Sequence, residues 1–196
     1  MITQLLREYL EANGKTVSAR RIWRARGGRK KNQEEALAWS WGTDGGTVPP
    51  ETAPGGFFLF TSDLQALPRG VLIDRAELHE GLSPAVLRKP EGLRQFLVRT
   101  CAKTAGDWLS EWSGVETDYP RYLLVPAFPG TDAHRREIEE LLQGAGWRGA
   151  FSLRSILLDL MQRVETNASY QISPHLEMIR LLKVHDVLSE PQMRLF

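Results

Sequence analysis

GKTVSARRIWRARGGRKKNQEEALAWSW, residues 14–41, decides how the first part of this chain folds. Residues 14–33 of it hold eight Lys or Arg and no acid, although the whole chain has a formal net charge of only +1. Outside that run, 17 bases face 24 acids, a net −7. A molecule polarised in this way points to nucleic acid or another anionic partner. Local signals in the run read as helical. Ser18 is a good N-cap, Val17 and Ile22 stand where a hydrophobic staple forms, and Gly27-Gly28 is a strong stop. The expectation is a short helix over 19–26 and a further helix over 31–41, with Ala36, Leu37 and Trp41 turned inward. Ahead of them, Ile2, Leu5, Leu6, Tyr9 and Leu10 recur at helical spacing, so residues 2–12 form an amphipathic helix closed by a turn at Gly14.

Three short helices with a tight turn and a Gly-Gly break between them form a helix-turn-helix pattern. On Gly14, Thr16-Val17, Arg20-Arg21, Gly27-Gly28 and the closing Trp41, residues 2–41 resemble the N-terminal DNA-binding region of plasmid KfrA-type proteins. That family continues into a long coiled coil, whereas the residues after 41 here do not. The resemblance implies DNA binding by the basic module. Lys15, Arg20, Arg21, Arg24, Arg26 and Arg29 supply phosphate-facing charge. Lys30, Lys31, Asn32 and Gln33 stand where side chains enter the groove, since Asn and Gln read adenine and Lys or Arg reads guanine. Trp23, Trp39 and Trp41 could stack on bases, but aromatic residues at such spacing more often anchor a core.

Beyond this module the composition changes. Residues 43–56 are rich in Gly and Pro and read as a linker or long surface loop. Residues 57–190 read as a mixed α/β domain with a small sheet and a helix-rich C-terminal part, and 191–196 as a tail. FFLFTS (57–62), GVLIDR (70–75), RYLLVPAF (121–128) and RGAFSL (148–153) are strand-like runs. Ser83-Pro84 opens a helix that Pro90 breaks, and a long helix follows from Glu91 to about Trp112. Amphipathic helices start near Thr131 or Asp132, at Ser152 and at Ser173-Pro174. The β-α-β-α order of 121–165 implies a parallel strand pair joined by a crossover helix. The last two helices carry more apolar positions than one stripe needs, which suits a central position in the core or a face shared with another subunit. Hydrophobic residues at 42% and charged residues at 25% are ordinary for a soluble globular chain, and no apolar run is long enough to span a bilayer.

Few residues suggest reaction chemistry. Asp63, Asp74 and Glu77 fall near the ends of two predicted strands, where carboxylates could hold Mg²⁺ for phosphodiester cleavage. The strand order also resembles the core of restriction-endonuclease-like nucleases. That family uses an acid on one strand and acid-x-Lys on the next. Asp63 matches the first acid, but Asp74-Arg75-Ala76 and Glu77-Leu78-His79 lack the lysine. The four His show no zinc-binding spacing, the lone Cys101 sits on an apolar stripe, and no phosphate-binding glycine loop is present. No cofactor is expected. The expectation is therefore a cytoplasmic DNA-binding protein without catalysis, as a regulator or the DNA-contacting subunit of a larger bacterial (plasmid, phage or defence) assembly, with a homodimer or a partner subunit possible. Alternatives are a Mg²⁺-dependent nuclease and a protein-interaction scaffold with a basic arm.

Overall fold

Val71, Leu72 and Ile73 are each at most 1% exposed, as are Leu123 and Leu124. A strand apolar at every position must be covered on both faces. The computed structural model, which describes residues 2–25, 33–42, 56–74, 83–102, 119–170 and 173–188, shows that cover. Among these residues one sheet runs through the chain. Its strands are β1 (Val17–Ala25), β2 (Gln33–Trp41), β3 (Phe58–Leu59), β4 (Gly70–Asp74), β5 (Arg121–Val125) and β6 (Gly149–Ser152). Their spatial order is β1-β2-β4-β5-β6-β3. β1, β2 and β4 run antiparallel to their neighbours in turn, while β4, β5, β6 and β3 are parallel.

The helices are α1 (Ile2–Ala12), α2 (Thr61–Gln65), α3 (Pro84–Arg88), α4 (Pro90–Phe96), α5 (Asp132–Gly144), α6 (Leu153–Arg163) and α7 (Pro174–Val184). A π-helical turn over Leu97–Ala102 prolongs α4. On one face of the sheet, Val71, Ile73, Leu123, Val125 and Ala150 pack with Leu93, Phe96 and Leu97 of the α4 region and with Ile138 and Leu142 of α5. On the other face, Leu72, Tyr122, Leu124 and Phe151 meet Leu5, Leu6, Tyr9 and Leu10 of α1, Leu64 of α2, and Ile156 and Leu160 of α6. The result is a three-layer α/β/α arrangement.

Caps and breakers act where the sequence places them. The Ser83, Thr131, Ser152 and Ser173 hydroxyls accept from the backbone N–H groups of Val86, His134, Ser155 and Leu176. Pro90 separates α3 from α4, and Gly14 takes φ +74° in the turn after α1. Arg94 forks onto Glu137 at 2.6 and 2.8 Å and reaches Glu91 at 2.9 Å, tying α4 to α5. The C-terminal helix is held from two sides. Ser173 Oγ donates to Glu8 of α1 at 2.5 Å, and Lys183 Nζ donates to the carbonyls of Met161 and Val164 at the end of α6. Leu176 and Ile179 of α7 pack on the core, whereas Met178, Leu181 and Val184 are exposed. The apolar surplus of that helix is thus divided between core and solvent.

The N-terminal three-helix module is the main correction. Residues 2–12 are helical as expected, but 17–25 and 33–41 are strands paired from Val17–Trp41 to Ala25–Gln33. The reason lies in Trp39 and Trp41. Both are 2% exposed and belong to the α1 side of the sheet, while Ala38 between them belongs to the opposite side. That is a two-residue period, which a helix cannot provide. The Trp41 indole also donates to the Leu67 carbonyl at 3.0 Å. Two smaller corrections apply. The strand expected over 57–62 is only two residues long and passes at Thr61 into α2. The expected helix from Glu91 changes to π-helical geometry at Leu97, and its continuation past 102 lies outside the described residues.

Candidate nucleic-acid interface

Among the described residues β1 is an edge strand, paired with β2 alone. β2 pairs with β4 from Trp41–Gly70 to Leu37–Asp74. The hairpin pairs Ile22–Ala36, Trp23–Glu35, Arg24–Glu34 and Ala25–Gln33 lie beyond the Leu37–Asp74 pair, the last described pair of β2 with β4. At about 3.3 Å per residue, these four pairs extend the hairpin ladder roughly 13 Å beyond the Leu37–Asp74 pair. Because β2 opposes β4 in direction, this end of the hairpin points the same way as the carboxyl ends of the parallel strands β4, β5 and β6.

The expected binding residues distribute along this arm. Arg20, Arg21 and Arg24 lie on β1, and Gln33 opens β2 instead of standing in a recognition helix. Arg20 is exposed. Arg26, Arg29, Lys30, Lys31 and Asn32 fall between the two strands in sequence and lie outside the described residues. Lys15 has a structural bond: its Nζ donates to the Leu67 carbonyl at 2.8 Å, and burial pulls its pKa below the ordinary lysine value. Trp39 and Trp41 are core residues, Trp41 stacking on Tyr122 with centroids 5.8 Å apart, so neither offers a face to a base.

Comparison with protein-family models, curated proteins and solved structures finds no match for this chain. The residues alone carry the functional argument.

The acids proposed for metal binding are separated in role. Asp63 is not at a strand end. It sits in the first turn of α2, where its Oδ2 accepts from the Phe60 N–H at 2.8 Å, as a helix cap does. Asp74 closes β4, 6% exposed, between Leu37 of β2 and Leu124 of β5. Glu77 lies outside the described residues. Among the described residues no three His, Cys, Asp or Glu come together as a metal-binding group. No described helix is long and apolar enough to cross a membrane.

Sequence reasoning missed the hairpin itself. Its one available signal was the alternation Ala38-Trp39-Ser40-Trp41, which is short enough to fit a helix turn as well.

Proposed function

We propose that this chain binds nucleic acid with the β1–β2 hairpin as its contacting arm. The observation that supports this is the location of the unopposed basic run of the sequence on, and between, the two strands of a hairpin at one edge of the described sheet. A two-stranded ribbon fits the major groove of duplex DNA, and clustered Lys and Arg gain affinity by releasing condensed counterions. The arm would contact phosphates through Arg20, Arg21 and Arg24, leaving the residues between the strands to approach base edges. The role that follows is a non-catalytic regulator or the DNA-contacting subunit of a larger assembly. The test is fluorescence anisotropy with duplex DNA across a salt series, using the wild type and an R20A/R21A/R24A variant. The expected result is weaker binding by the variant and a salt slope shallower by about two to three. Equal affinity and slope for the two proteins would refute the reading.

A second reading, a Mg²⁺-dependent nuclease, is supported by the position of Asp74 at the end of the strand beside the arm. In it Asp74 and Glu77 would hold the ion. Plasmid nicking with Mg²⁺ or Mn²⁺ that is lost in D74N would favour this reading; intact plasmid with both metals would end it.

A further inference from the structure

A second candidate site lies at the same end of the sheet, away from the hairpin. After β5 the chain turns through Pro126–Gly130 into α5, which packs on one face of the sheet; after β6 it enters α6, which packs on the other. Where successive parallel strands send their helices to opposite faces, a crevice opens at their carboxyl ends, the usual ligand position in open α/β sheets. Here the crevice encloses about 750 Å³, within the range of small-molecule sites. Leu87 and Leu93 of α3 and α4 wall one side, Leu157 and Leu158 of α6 the other, and Phe128 stands between them. Phe128 is set by edge-to-face contacts with Phe58 and Phe60, at 5.0 and 5.5 Å.

Among the described residues, two cations and no acid complete the lining. Arg88 ends α3 and Arg154 lies in the first turn of α6. Among the described residues neither guanidinium has a hydrogen-bond or ion-pair partner; the Arg154 backbone N–H alone is engaged, with the Pro126 carbonyl at 3.1 Å. On nearby helices, by contrast, Arg94 is paired with Glu137 and Arg163 with Asp159. An apolar chamber with two unpaired guanidinium forks at its wall complements a molecule with an apolar body and one oxyanion. The positive end of the α6 dipole adds in the same sense.

We infer that this crevice binds a small amphipathic anion, an acyl or aryl body carrying one carboxylate or phosphate head that Arg88 and Arg154 hold together. This site does not depend on the hairpin's function.

The test uses the full chain and three probes of one chain length below their micelle concentrations: decanoate, decyl phosphate and uncharged 1-decanol. Binding is followed by calorimetry and by the shift in unfolding temperature. Saturable binding of either anion is expected, about tenfold tighter than decanol. R88A/R154A should bring the anion down to the decanol level and leave decanol unchanged. Both arginines are exposed, so this variant should keep the wild-type unfolding temperature without ligand. L157W, which fills the chamber, should abolish binding of all three. Preference for one anion identifies the head group. No binding by either anion, equal affinity for anion and decanol, or undiminished anion binding by R88A/R154A would each overturn the inference.

Discussion

The sheet has two unlike halves. In β4 and β6 every residue is buried, and helices cover both faces. In the hairpin, burial is graded. β2 buries Ala38, Trp39, Ser40 and Trp41, while Ser18, Ala19 and Arg20 of β1 are exposed. The parallel half is held by packing and the outer strand chiefly by ladder hydrogen bonds to β2. That difference separates stability from surface function. A buried strand tolerates little change, whereas an outer strand is free to carry charge. Charge there also has a protective effect, because Arg or Lys on an edge strand opposes sheet-to-sheet association.

The largest expected effect tests the packed half. Leu123 is fully buried in the central strand, and L123A should cost about 2–5 kcal/mol in urea unfolding. A loss below about 1 kcal/mol would contradict the two-sided core.

High pH should act on the face shared by both halves. Burial pushes Tyr9 and Tyr122 up to about 12, Tyr9 while bonded to Thr61 at 2.9 Å. In the unfolded chain both ionise near 10, so between about pH 10 and 12 the unfolded state binds fewer protons than the folded one. Stability should therefore fall as pH rises through that window, by about 2 kcal/mol per tyrosine. Y122F should remove roughly half of the fall; an unchanged slope would place the effect elsewhere.

Gly70 is the joint between the halves. A Cβ there would lie 2.6 Å from the Trp41 ring and 2.7 Å from Tyr122. G70A should cost about 1–3 kcal/mol by overpacking. It should also raise amide exchange in β2 more than in β6, which exchange measurements would detect.

The smallest expected effect belongs to the outer strand. R20A should change unfolding free energy by no more than about 1 kcal/mol, the range for an exposed side chain with a surface contact. A cost above about 2 kcal/mol would make this arginine part of the fold rather than of a binding surface.

Much of the architecture could be read from local chemistry. Helix α1, the Gly14 turn, the caps at Ser83, Thr131 and Ser173, the break at Pro90 and the parallel β5–β6 pair are each encoded within a few residues. Of the candidate site, the basic run was legible because charge is a property of composition. Its shape was not. Ser18, Ile22 and Gly27-Gly28 suit a capped helix, but they suit a strand and its turn equally well. The crevice could not be read at all, since Arg88, Phe128 and Arg154 come from three separate segments.

By itself, then, the sequence determined the helices that carry their own caps, the apolar strands that need cover on both faces, and the charge imbalance of residues 14–33. The tertiary structure alone decided that 17–25 and 33–41 are strands. Their local preferences are nearly balanced, and the decisive energies are non-local: the ladder from β2 to β4, and the burial of Trp39 and Trp41 against α1 and Tyr122.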